Sequence, residues 1–312
     1  MDFETATDSS STPPEPVRRP NRLLEIVFLR DGELRAGWRL LLYGLSCITA
    51  YFALVVVIGS FGFDTERYSP QRILQEDLLS FMAALGAAFF MARLERCSVD
   101  AYGLPQTRAF GKLFWQGCLL GLIDVTALVS LIAAFGGYSF GSFSLHGLAV
   151  VRWGIVWFIA FVFTGLSEEY LFRGYVQFTM ARVVGFWPAA IFLSVLFGVA
   201  HLSNPGESYV GIAGVVATGL VFAFTLRRTG NLWLAVGWHA SFDFGETFLY
   251  SVPDSGVLFK HHLSSATLHG SAWLTGATAG PEGSVFSFLT MAILALAIHF
   301  LFPVREPMKD AK

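Results

Sequence analysis

Eight stretches of this chain stay predominantly apolar for 17 residues or more: 38–60, 78–94, 112–135, 153–180, 186–202, 209–226, 231–249 and 285–303. A helix of about 17–25 such residues matches the hydrocarbon thickness of a bilayer. With no water there to satisfy the backbone, helix is the form such a run takes. The chain therefore reads as all-α, a polytopic membrane helical bundle of about eight transmembrane helices filling residues 36–305. Composition agrees: of 312 residues, 54% are hydrophobic and 14% charged, against about 25% charged in soluble domains.

The rest of the composition excludes more than it suggests. A net charge of −2 offers no basic stripe for phosphates, so no nucleic-acid partner is expected. Cys47, Cys97 and Cys118 form no CxxC pair and imply neither a disulfide framework nor a thiolate zinc site. The opening "MDFETATDSSSTPPEPV" is acidic and rich in Pro, Ser and Thr, and contains no apolar signal core. Residues 1–35 are read as a disordered cytoplasmic tail and juxtamembrane segment, and 306–312 as a short cytoplasmic tail.

Basic residues orient the bundle. Arg18, Arg19, Arg22, Arg30, Arg35, Arg93, Arg96, Arg108, Lys112, Arg182, Arg227, Arg228, Arg305, Lys309 and Lys312 fall on one side, and Arg67, Arg72 and Lys260 on the other. Both termini are expected in the cytoplasm.

Against that apolar background "SEEYLFRG" at 167–174 stands out. Arg182 marks the cytoplasmic end of the fourth run, and Glu168 precedes it by 14 residues. That is roughly 20 Å along a helix, near mid-membrane. An ionised group there costs about 3 kcal/mol, which makes it a functional candidate. Glu169 and Arg173 are spaced i,i+4 and can neutralise each other on one face. Glu168 points about 100° away and needs a partner on another helix.

Two later runs offer one. "FGVAH" places His201 four residues after Phe197, and "HASFD" places His239 and Asp243 four apart on one face. Brought together, Glu168, His201, His239 and Asp243 make a polar site in oil. A carboxylate beside an imidazole can deprotonate water in a dry pocket. Two imidazoles with carboxylates can also hold zinc and lower the pKa of its bound water. A His/Asp pair can donate to a developing oxyanion. Hydrolysis of an acyl or peptide bond fits all three, and a proton or cation relay uses the same residue types.

EExxxR at Glu168–Arg173, FxxxH at Phe197–His201 and HxxxD at His239–Asp243 resemble the three motifs of the CPBP intramembrane protease family, over roughly residues 93–250. That family includes CAAX prenyl endopeptidases and bacteriocin-processing and immunity proteins. The resemblance implies that Glu168 is the general base on a water that His201 also holds. It implies that His239 and Asp243 stabilise the oxyanion or complete a metal site of Glu168, His201, His239 and Asp243. Glu169 and Arg173 would brace the helix, and Phe197 would shape the pocket. Eukaryotic members carry Asn where this chain has Asp243, so Asp243 is protonated, orients His239, or ligates a metal. Zinc and a metal-free glutamate mechanism are both open.

The implied activity is endoproteolysis of a membrane-associated peptide or protein in a prokaryotic inner membrane. A non-proteolytic immunity or scaffold protein and a proton-coupled transporter are the alternatives. Segment 250–284 is long and rich in Gly and Ser, and is expected to fold back as a lid. Its His261, His262 and His269 read as solvated loop histidines. Gly117 and Gly121, with Gly211 and Gly214, are expected to let helices pack closely within the chain.

Overall fold

The computed structural model describes residues 27–303 apart from 31, 32, 61 and 65. The tails read at 1–26 and 304–312 lie outside the described residues, as do Arg18, Arg19, Arg22, Arg305, Lys309 and Lys312. Within the stretch read as N-terminal tail, Leu29–Arg30 (β1) and Glu33–Leu34 (β2) pair as a small hairpin.

All eight apolar runs are helical. They form Ala36–Gly59 (α1), Pro70–Glu95 (α2), Lys112–Ala134 (α3) and, after the two-residue strand Tyr138–Ser139 (β3), Leu148–Arg173 (α4). Tyr175–Val184 (α5), Phe186–His201 (α6), Tyr209–Thr229 (α7) and Trp233–Phe244 (α8) follow. Thr267–Leu268 (β4) and the one-turn Ala272–Thr275 (α9) precede Val285–Leu301 (α10). Five helical stretches are long and apolar enough to cross a membrane: α1, α2, α3, α4 with α5, and α7. Helices α6 and α10 are apolar but shorter.

Local chemistry explains the boundaries. Ser69 caps α2 by accepting from the Arg72 amide at 3.0 Å, with Pro70 in the first turn. The helix thus starts eight residues before the apolar run, because its first turns, "PQRILQED", are polar. The fourth run is two helices because of Gly174. Its backbone turns there, and a Cβ would lie 2.3 Å from the Tyr170 carbonyl oxygen.

Helix α8 is the axle of the bundle, packed between α3 and α4 and buried along almost its whole length. In oil, apolar contact between helices gains no transfer energy, so close approach through small residues decides the packing. A Cβ on Gly117 would sit 2.2 Å from the Leu234 oxygen, and one on Gly121 2.3 Å from the Trp238 oxygen. A Cβ on Gly237 would meet the Phe114 oxygen at 2.0 Å. Gly214 likewise packs on the Glu282 backbone, and Gly211 on Ala279. The glycines serve contacts within the chain. Helix α1 is the opposite case, turning Leu41, Leu45, Ile48, Phe52 and Val56 outward.

Segment 250–284 is built rather than loose. Strand β4 pairs antiparallel with β3, Tyr138 opposite Leu268, and Ser264 bridges to Phe143. His261 stacks on Trp153 at 3.8 Å, His262 Nδ1 lies 2.7 Å from the Ser264 oxygen, and His269 Nε2 bonds the Thr267 hydroxyl at 2.9 Å. His261 thus ties the segment to α4 and His262 bonds within it, whereas His269 is exposed, as expected of a solvated loop histidine.

Candidate active site

Helix α4 delivers Glu168, Glu169 and Arg173. Glu169 and Arg173 are fully buried and paired, Oε1 to Nη1 at 3.0 Å. Arg173 also lies over the Phe197 ring, 4.4 Å from its centroid, a favourable place for a desolvated cation. A Cβ on Gly219 would come within 2.6 Å of Arg173 Nη2, so α7 needs its glycine to leave room for the guanidinium.

The same Glu169 oxygen accepts from His239 Nδ1 at 3.1 Å. A carboxylate only accepts, so this bond places the proton on Nδ1. The other ring nitrogen, Nε2, stands 3.5 Å from Glu168 Oε2 and 3.5 Å from Asp243 Oδ2. Phe222 stacks on the imidazole at 5.3 Å. His239 is thus held by carboxylates at both nitrogens and by an aromatic face. Gly165 lets α4 come this near, since a Cβ there would lie 2.9 Å from the Val236 oxygen.

His201 arrives on α6. Its Nδ1–H donates to the Phe197 carbonyl at 2.8 Å, which leaves Nε2 as the lone pair for a water or ligand. The Phe197 ring packs on His201 at 4.7 Å and on His239 at 6.3 Å. One aromatic side chain therefore touches Arg173 and both imidazoles.

Glu168, Phe197, His201, His239 and Asp243 line a common cavity of about 290 Å³. Glu168 Oε2 is buried without a hydrogen-bond partner among the described residues. The space suits a short stretch of substrate with water. Asp254, Ser255, Val257, Phe259 and Glu282 of segment 250–284 close one wall. Asp77 on α2 lines another, its Oδ2 taking a hydrogen bond from Thr164 at 2.6 Å.

The four residues do not assemble a zinc site as they stand. A tetrahedral ion wants donors about 3.4 Å apart. Among the described residues no three of Glu168, His201, His239 and Asp243 bring donor atoms within 4.8 Å of one another.

Sequence reasoning missed the double role of Glu169 and the cavity acids Asp77, Asp254 and Glu282. Asp77 was hidden in the polar start of α2, and the other two in a segment without periodic pattern. Residues 150–245 match the family described as type II CAAX prenyl endopeptidase Rce1-like, a span containing every candidate from Glu168 to Asp243. No curated protein and no solved structure matches the chain.

Proposed function

Because residues 150–245 match the family described as type II CAAX prenyl endopeptidase Rce1-like, we propose that the chain is an intramembrane endopeptidase that cleaves a membrane-associated substrate with Glu168 as general base. The observation carrying this reading is the unpartnered Glu168 oxygen facing the His239 imidazole in a cavity shared with His201. Glu168 takes a proton from a water that His201 Nε2 holds. The water oxygen attacks the scissile carbonyl carbon, and the π electrons move onto its oxygen. His239, as an imidazolium that keeps Nδ1–H on Glu169 and carries a second proton on Nε2 beside Asp243, stabilises that oxyanion. The tetrahedral centre collapses, the C–N bond breaks, and Glu168 returns the proton to the departing amine.

Glu169 holds His239 through Nδ1, as a carboxylate does behind many active imidazoles. No step needs a metal. The chain lies in a prokaryotic inner membrane with both termini cytoplasmic and about eight crossings, α6, α8 and α10 completing those that length alone supports.

The test is cleavage by detergent-purified protein of a farnesylated CAAX-type peptide, its unprenylated counterpart and a panel of unrelated membrane-anchored peptides. Cleavage by wild type that vanishes in Glu168→Gln supports the reading. Cleavage that survives in Glu168→Gln removes Glu168 from its role. A fully folded wild type that cleaves nothing favours a non-proteolytic relative of the same fold.

A further inference from the structure

Below the catalytic residues, on the continuation of α8, lies a second constellation that the proposed hydrolysis does not use. Glu246 sits in the π-helical turn Gly245–Leu249, Asp254 in the segment that follows, and Glu282 in the turn Pro281–Gly283. One carboxylate oxygen from each lies within 4.8 Å of the other two. That spread is what oxygens about 2.4 Å from one shared ion would show, since opposite ligands are then about 4.8 Å apart.

Three carboxylates this close can be ionised together only beside a compensating positive charge. Glu246 is 0% exposed, and among the described residues neither of its carboxylate oxygens has a hydrogen-bond partner. Among the described residues none of the three is in an ion pair with Lys, Arg or His within 4.0 Å. The charges that act most strongly on Glu246 are those of Glu282, Asp254, Asp243 and Asp124, all acidic, while His239 and His201 act more distantly on Asp254 and Glu282. A buried carboxylate with no partner is among the most costly arrangements a fold can hold.

The other two carboxylates are aimed. Thr247 donates to Asp254 Oδ2 at 3.0 Å, and Ser255 donates to Glu282 Oε2 at 2.8 Å. Each retains its second oxygen for a ligand, as outer hydroxyls do around bound ions. The turn itself is fastened: the Val252 amide donates to the Glu246 carbonyl at 3.0 Å, and Ser287 donates to the Glu282 carbonyl at 2.8 Å. A π-turn ending a helix is uncommon and often marks a functional position.

We propose that Glu246, Asp254 and Glu282 bind one hard divalent cation, which pins segment 250–284 against the end of α8. Oxygen-only donors select calcium, magnesium or manganese over zinc. All three lie outside the family-matched span 150–245, and Asp254 and Glu282 line the cavity wall. The ion would thus fix the shape of that wall from a position separate from Glu168, His201 and His239. Ion binding and peptide cleavage are separate readouts, so failure of one leaves the other standing.

The experiment uses full-length protein in detergent, stripped with EDTA, desalted and then given calcium, magnesium or manganese chloride in turn. At a hundred times Kd, one of the three should raise the unfolding midpoint by about 5 °C or more. It should also slow tryptic cleavage after the exposed Lys260 by up to about 100-fold. Elemental analysis after gel filtration should find one ion per chain in wild type and in Glu168→Ala, and none in Glu246→Gln/Glu282→Gln. The proposal fails if stripped wild type shows no shift, no protection and no retained ion with all three salts, which would mean that the carboxyls hold protons instead. It fails equally if the double variant keeps the ion, or if Glu168→Ala loses it.

Discussion

Glu169 and His239 are joined carboxylate to Nδ1 at 3.1 Å, by the same oxygen that pairs with Arg173 at 3.0 Å. The ion pair read as a helix brace thus ends on an imidazole of the candidate site. Glu169→Gln should therefore do two things. It leaves the Arg173 charge uncompensated in a fully buried site, costing about 3–5 kcal/mol, seen as a lower unfolding midpoint. It also weakens the hold on His239 and lowers kcat. Glu169→Gln with Arg173→Gln should recover much of the stability but not kcat. Recovery of both would reduce Glu169 to a brace.

Glu168→Gln, His201→Ala and His239→Ala should each lower turnover by about 10² or more while the protein still purifies as a monodisperse species. Normal turnover in His201→Ala would remove His201 from holding the water. In His239→Ala the carboxylate neighbours also lose their partner, so unfolding midpoints must accompany the rates.

Asp243 separates the two chemistries. Its Oδ2 lies 3.5 Å from His239 Nε2, and an amide at that place can donate to the oxyanion without first taking up a proton. Asp243→Asn should keep or raise cleavage, and the zinc chelator 1,10-phenanthroline should leave the wild-type rate unchanged. Stoichiometric zinc in the protein, lost together with activity in Asp243→Asn, would reverse the assignment.

Gly121→Ala should lower stability by about 1–3 kcal/mol, the usual cost of overpacking. Its Cβ would fall 2.3 Å from the Trp238 oxygen and 2.1 Å from Ser241 Oγ, driving α3 from α8. An unchanged unfolding midpoint would show that the two helices can part without cost.

Orientation is checked by labelling single-cysteine variants in intact cells. Cys97 is a poor probe, since its Sγ is 3.1 Å from the Tyr102 hydroxyl and partly buried. Arg108→Cys and Lys260→Cys are exposed; the first should react only with permeant reagent and the second with impermeant reagent. Arg152, near the start of α4, adds a basic residue to the side expected to face outward without reversing the asymmetry. The opposite labelling pattern would invert the bundle.

The helices were legible because apolar length is a one-dimensional signal. So were the pairs at i,i+4 spacing, Glu169 with Arg173 and His239 with Asp243, since a helix brings them together by itself. The bond from Glu169 to His239 was not, because it depends on how near Gly165 lets α4 approach α8. Asp77 was obscured by polar neighbours in a helix whose first turns do not look like membrane. Segment 250–284 carries no period at all, and its order comes from a two-residue ribbon with β3 and one stacked histidine. Glu246 was readable as a residue but not as a site, since its companions are 8 and 36 positions further on.

The burial of α8 has a consequence for how this sequence can drift. Helix α1 keeps one flank against lipid, where Leu, Ile, Val and Phe are interchangeable at little cost. Helix α8 has no such flank: from Trp233 to Ser241 every residue is enclosed by protein. A replacement there must suit α3 on one side and α4 on the other at the same moment. Change along α8 is therefore expected to arrive in pairs, with compensating exchanges on the helices that grip it, while α1 wanders freely.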